Sequence, residues 1–153
     1  MAPVVVENPQ SLKTWIGREV AVTDWMTIEQ GRIEKFAEAT EDRQWIHLDR
    51  ERAQKESPYG TTIAHGFLTL SLVSHLLKQA IEIRGVRMAI NYGLNRVRFP
   101  AAVPSGGRVR ARVALQKLEE LPKGVEATFG ITIECEGAKK PCCVAEWIIR
   151  FYS

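Results

Sequence analysis

The sequence predicts a single α+β domain in which a curved antiparallel sheet wraps around one long apolar helix. Residues 66–83 form the most apolar helical segment, with apolar side chains on nearly every side. Such a helix needs cover over most of its surface, which a curved sheet supplies. Period-two alternation follows up to the last residues, with no helical segment between the alternating stretches. A parallel sheet is therefore excluded, because parallel strands need long crossover connections.

The first half of the chain is predicted to contain helices and loops after one short strand. The segment Val20–Trp25 is the candidate strand. Thr27 and Gln30 have the spacing of a capping box and predict a helix that ends near Thr40. Asp49 is a candidate N-cap for a short helix that follows it.

The second half is predicted to be an antiparallel meander. Alternation changes phase near Asn95-Arg96, which indicates a β-bulge. Turn-forming residues at 121–124 and 136–139 predict hairpin connections. The helix before the meander is expected to stop at Gly85. The predicted strands lie near residues 88–99, 109–115, 125–135 and 142–152.

Length, charge and cysteine content limit the class of protein. The 153 residues allow one domain, expected at 15–153, with residues 1–14 as an N-terminal extension that can be flexible. A net charge of +3, from 21 basic and 18 acidic residues, is too small to indicate nucleic acid as the partner. We expect no secretory signal, because the N-terminus lacks a basic region followed by an apolar run, and no membrane span, because the longest apolar stretch, 63–77, is too short and too polar. Three cysteines without a C-x-x-C pair suggest neither disulfides nor structural zinc, so we expect a cytoplasmic location.

The chemically informative residues are a carboxylate and an imidazole in one loop, followed by a helix start. Asp42 and His47 lie five residues apart after the first helix, and a loop can turn both side chains onto one water molecule. Asp42 could take a proton from that water while His47 orients it or returns a proton to carbon. Gly66 begins the apolar helix, where free backbone N–H groups can stabilise a developing oxyanion.

These segments resemble the hydratase-2 motif of the MaoC-like dehydratase family, which includes (R)-specific enoyl-CoA hydratases. The resemblance assigns the catalytic Asp and His to Asp42 and His47, and the oxyanion amide to Gly66. It places the family's helix serine at Ser74. It also places a His-Gly pair at His65 and Gly66, which makes His65 a candidate substrate contact. Without the resemblance, Ser74 could simply donate a hydrogen bond to a backbone carbonyl of its own helix, and His65 could be a packing residue.

The motif departs from the usual family pattern at three positions. Glu41, Gln44 and Trp45 stand where glycine, asparagine and proline are usual. The Gln-Trp-Ile-His variant, together with the later segment Ile90–Asn95, is similar to the nodulation-protein-N-like branch of the family. The resemblance covers nearly the whole chain.

The resemblance implies a hot-dog fold and the reversible hydration of trans-2-enoyl-CoA to (R)-3-hydroxyacyl-CoA. It implies no metal and no redox cofactor, with coenzyme A present only as part of the acyl-CoA thioester substrate. It also implies a homodimer with the active site near the subunit interface. Two alternatives remain open: a hot-dog acyl-CoA thioesterase, and a non-catalytic acyl-CoA-binding subunit.

Overall fold

Short helices and eight strands make up residues 2–153, which are the residues that a computed structural model of the protein describes. A 3-10 helix, Pro9–Trp15, lies between the first two strands. The strands are β1 (Val4–Val6), β2 (Arg18–Val22), β3 (Met26–Thr27), β4 (Ile81–Ile83), β5 (Met88–Arg98), β6 (Arg108–Leu121), β7 (Gly124–Cys135) and β8 (Cys143–Tyr152). The helices are α1 (Gln30–Thr40), α2 (Trp45–Leu48), α3 (Arg50–Glu56), α4 (Gly66–Ser71) and α5 (Val73–Ala80).

The main sheet is antiparallel and has the order β2-β6-β7-β8-β5, with β3 also paired to β6. Burial alternates along β7 from Val125 onward and along all of β8, because one face of each strand packs on the helices. The inward residues of β7 include Phe129 and Ile133, both with no exposed surface. The predicted α+β class, with an antiparallel sheet packed on the apolar helical segment, is therefore confirmed.

The apolar segment predicted as one helix over 66–83 is instead two short helices and a strand. Leu72 separates α4 from α5, and its backbone N–H is shared among carbonyls of the preceding turn. The helix ends at Ala80, and Ile81–Ile83 pair in parallel with Val4–Val6. Side chains branched at Cβ favour strands, so this parallel pair wins over a longer helix. Gly85 lies in the turn after the strand, with φ +72°.

Residues 4–14, set apart by the sequence as part of an extension, contribute to the core. Val6 and Leu12 are buried, the latter with no exposed surface. The side chain of Asn8 accepts a hydrogen bond from the backbone of Ser11 and so caps the 3-10 helix.

The predicted capping box at the start of α1 is wrong. The helix begins one residue after Glu29, and Thr27 belongs to β3. Gln30 is buried and its side chain makes contacts far along the chain rather than reaching back to the helix start. By contrast, Asp49 caps α3 as predicted, accepting a hydrogen bond from the N–H of Arg52.

The turns and the bulge of the meander are confirmed. The register of β5 on β8 shifts between Asn95 and Arg98, and Arg96 has a φ of 51°. β6 and β7 are joined by a tight turn in which Lys123 takes a φ of 64°. Among the described residues, no helix combines the length and apolar character needed to cross a membrane.

Candidate active site

The loop that carries Asp42 is set by the end of α1. Glu41 has a φ of 61°, a left-handed conformation that stops the helix and turns the chain. Asp42 follows and is exposed, whereas α2 carries His47 inward until only 6% of its surface is accessible. One short loop thus places a solvent-facing carboxylate beside a buried imidazole.

Two direct hydrogen bonds, and two more that run through Gln30 of α1, join this loop to the segment before α4. The N–H of Ile63 donates to the carbonyl of Ile46 over 3.0 Å, and His47 Nδ1 lies 2.7 Å from the carbonyl oxygen of Ile63. The Gln30 amide donates to the carbonyl of His47 over 2.8 Å and accepts from the Thr62 hydroxyl over 2.6 Å. Gln30 is a supporting residue that the sequence analysis missed, because its spacing from Thr27 favoured a local capping role.

The Ile63 carbonyl fixes the tautomer of His47. A carbonyl oxygen only accepts, so Nδ1 carries the proton and Nε2 of the neutral ring is a free acceptor. Burial lowers the pKa of His47 below its ordinary value of 6.5, and the neighbouring His65 lowers it further. The hydrogen bond to Ile63 and the charge of Asp42 oppose this shift in the pKa. The ring is therefore held neutral at neutral pH.

His65 is buried against both members of the predicted pair. Its ring stacks on that of His47, with centroids 3.7 Å apart and planes inclined by 21°. Its Nε2 lies 2.9 Å from the backbone carbonyl oxygen of Asp42. The structure thus brings His65 together with Asp42 and His47.

The polar atoms of the three side chains lie close enough together to contact one small ligand. Asp42, His47 and His65 each have a carboxylate oxygen or ring nitrogen within 4.8 Å of those of the other two. Two acceptors that share one water at about 2.8 Å lie about 4.6 Å apart, so this upper limit on the separations allows a water to bridge two of the groups. In residues 2–153, this is also the one group of His, Cys, Asp and Glu side chains that could hold a metal ion.

Gly66 lies directly after His65, at the first position of α4, where the backbone N–H has no acceptor within the helix. A Cβ on Gly66 would approach the ring of Phe99 to 3.1–3.3 Å, so the aromatic ring lies against this glycine. Gly66 and Phe99 line a cleft of about 200 Å³ together with residues 101–103.

Ser74 stands apart from this cleft. It is exposed on α5 and lines a different cleft of about 310 Å³ with Phe67, Leu94 and Trp147. Trp147 donates its indole N–H to Asn91 over 2.8 Å at the wall of that cleft. The predicted role of Ser74 beside Asp42 and His47 is therefore not visible as a contact among the described residues.

The sheet and the helices, together with the relatives that follow, identify the chain as a hot-dog-fold hydro-lyase. The (R)-hydratase from A. caviae involved in PHA biosynthesis is 26% identical and superposes with a TM-score of 0.67, covering 84% of this chain and 95% of that chain. "3-hydroxyacyl-thioester dehydratase Z" of Mycobacterium tuberculosis is 52% identical over 146 residues, which cover 95% of this chain and 96% of the relative.

The chain belongs to the family of MaoC like domains, whose profile matches residues 11–134. Nodulation protein N of Rhizobium leguminosarum is 44% identical over 135 residues, covering 87% of this chain and 84% of the relative. The predicted family, fold and enzyme class are thus confirmed.

Proposed function

We propose that the protein hydrates trans-2-enoyl-CoA thioesters reversibly to (R)-3-hydroxyacyl-CoA, with Asp42 and His47 acting on one water. The observation that carries the proposal is the convergence of an exposed carboxylate and a buried, neutral imidazole whose free nitrogen is an acceptor. The names of a 52% identical dehydratase and of a 26% identical (R)-hydratase support the reaction class and the acyl thioester substrate.

In the proposed mechanism, the water donates one hydrogen bond to Asp42 and the other to His47 Nε2. Its lone pair then faces Cβ of the enoyl group. As the O–Cβ bond forms, one water proton passes to the carboxylate. The π electrons of the Cα–Cβ double bond move toward the thioester carbonyl, which gives an enolate. Asp42 delivers that proton to Cα on the same face, which restores the thioester carbonyl and completes a syn addition. Dehydration is the same path in reverse.

The Gly66 N–H is the proposed donor to the enolate oxygen. A proline at this first helical position is compatible with the backbone, because His65 has φ −61° and ψ 138°. Gly66→Pro removes the N–H, and Gly66→Ala keeps it, while both place a Cβ against Phe99. We expect kcat of the proline variant to lie about 100-fold below that of the alanine variant, the usual effect of one oxyanion donor. Equal steady-state rates for the two folded variants would contradict this role.

The assay that tests the function is incubation with a short trans-2-enoyl-CoA, following enoyl absorbance and free thiol together. Loss of absorbance without free thiol is the expected result, and chiral analysis should give the (R)-alcohol. Released thiol would instead identify a thioesterase, and tight binding without turnover would identify a binding subunit. Dialysis against a chelator should leave the rate unchanged, because the proposed chemistry uses no metal.

The pH dependence follows from the lowered pKa of His47. Because the neutral ring is needed, we expect kcat/KM to fall to half of its maximum at a pH below 6.5. The unfolded chain takes up this proton at higher pH than the folded chain. His47 therefore contributes stability above pH 6.5 that is lost as pH falls through its folded pKa. Half-maximal kcat/KM at or above pH 6.5 would contradict this assignment.

We further propose that the protein is a homodimer that pairs through β5. This strand ends the sheet order, so one of its edges is open, and an open apolar edge favours pairing with another chain. Its exposed side chains include Met88, Ile90, Tyr92 and Leu94. We expect Ile90→Lys to lower the mass measured by sedimentation toward that of a monomer. Ile16→Lys, at a similarly exposed position outside β5, is the matched control and should leave the mass unchanged.

A further inference from the structure

His65 carries a polar atom that the fold leaves without a partner. The side chain is 2% exposed, and its Nδ1 has no hydrogen bond among the described residues. The Asp42 carbonyl can only accept, so Nε2 carries the proton and Nδ1 is a buried, unsatisfied acceptor. Leaving such an atom unpaired costs stability, because no hydrogen bond in the fold replaces the one it made to water.

Packing alone would favour a phenylalanine at this position. The ring lies against Phe36, with centroids 4.8 Å apart, and stacks on His47 at 3.7 Å. A phenyl ring is also flat and only slightly larger, and it has no nitrogen to leave without a partner. What only the imidazole adds is the 2.9 Å hydrogen bond from Nε2 to the backbone of Asp42.

That hydrogen bond spans two separate parts of the chain. Asp42 lies in the exposed loop after the left-handed Glu41, whereas His65 precedes α4 and is anchored by the core. One ring therefore touches both halves of the water-binding pair, holding the main chain of Asp42 with its edge and the imidazole of His47 with its face.

We propose that His65 is a positioning residue that fixes Asp42 at the correct distance from His47, and that it neither binds the acyl group nor transfers a proton. The inference rests on the proposed function of Asp42 and His47. Misplacement of a reacting group by about 1 Å can cost about 100-fold in rate. Removal of the hydrogen bond should therefore lower kcat and leave KM nearly unchanged.

Two substitutions separate the hydrogen bond from the ring. His65→Gln places an amide nitrogen near the position of Nε2 and can donate to the Asp42 carbonyl, but it lacks the ring. His65→Phe keeps the ring stack and the packing but has no donor. We expect kcat of His65→Phe to fall about 10- to 100-fold with KM within about two-fold, and His65→Gln to recover most of the loss. His65→Leu serves as a second donor-free variant if the phenylalanine variant folds poorly.

The outcomes are measured as kcat and KM per folded protein, with thermal midpoints alongside. A purely structural role predicts a lower thermal midpoint with an unchanged kcat per folded protein. A folded His65→Phe protein with wild-type kcat would therefore overturn the proposal. Equal losses in the glutamine and phenylalanine variants would indicate proton transfer by His65 and would also overturn it. An unchanged kcat with a raised KM would indicate substrate binding instead. Failure of the wild-type protein to hydrate enoyl-CoA would overturn the proposed function and this inference together.

Discussion

Replacing Asp42 with asparagine should lower kcat for enoyl-CoA hydration at least about 100-fold, because the amide cannot take a proton from water. The thermal midpoint should change little, since the side chain is exposed and the hydrogen bond from His65 is to the Asp42 backbone. Steady-state kinetics and thermal unfolding of the same preparation measure both quantities.

The matched control for this variant is Glu41→Gln. It removes the same charge from the adjacent exposed residue and retains a side chain of similar size. The control should keep nearly wild-type turnover. A folded Asp42→Asn protein with wild-type kcat would show that the Asp42 carboxylate takes no part in the reaction.

His47→Asn is expected to cause an equally large loss of turnover for a different structural reason. The asparagine amide can occupy the place of Nδ1 and donate to the Ile63 carbonyl, while the free Nε2 that binds the water is gone. We expect kcat to fall at least about 100-fold.

His47→Ala is the companion variant, because it removes both the reactive nitrogen and the anchor. It should be as slow as the asparagine variant but less stable by about 1–3 kcal/mol, since the buried Ile63 carbonyl loses its donor. Equal stability of the two variants would show that the anchor contributes nothing to the fold. Retained turnover in the asparagine variant would exclude Nε2 from the reaction.

The strands β6, β7 and β8 were predictable because each buries one face. Alternation in β7 and β8 follows directly from the pleat, and the phase change near Asn95 marked the bulge correctly. The loop motif was equally readable, since Asp42 and His47 lie close in sequence and any short loop can bring them together.

The helix boundary was not predictable from the same hydrophobic pattern. Residues 81–83 are apolar enough to continue a helix, and only the parallel partner strand Val4–Val6 makes them a strand. That partner is 77 residues away along the chain, so no local window contains the deciding contact. The same pairing explains why the segment before residue 15 belongs to the core.

The supporting residues of the site were hidden for a related reason. Gln30 has a plausible local role near Thr27, and His65 has a plausible role at a helix start. Their actual partners lie 17 and 23 residues away, at His47 and Asp42. A sequence reveals which groups can react more readily than which groups hold them, because positioning contacts are set by the tertiary fold.

The most direct test of the central claim is kcat of the double variant Asp42→Asn/His47→Asn beside both single variants. Groups that act on one water are not additive, so the double variant should be about as slow as the slower single variant. Two losses that multiply in the double variant would show that the carboxylate and the imidazole act independently, and would contradict the shared water.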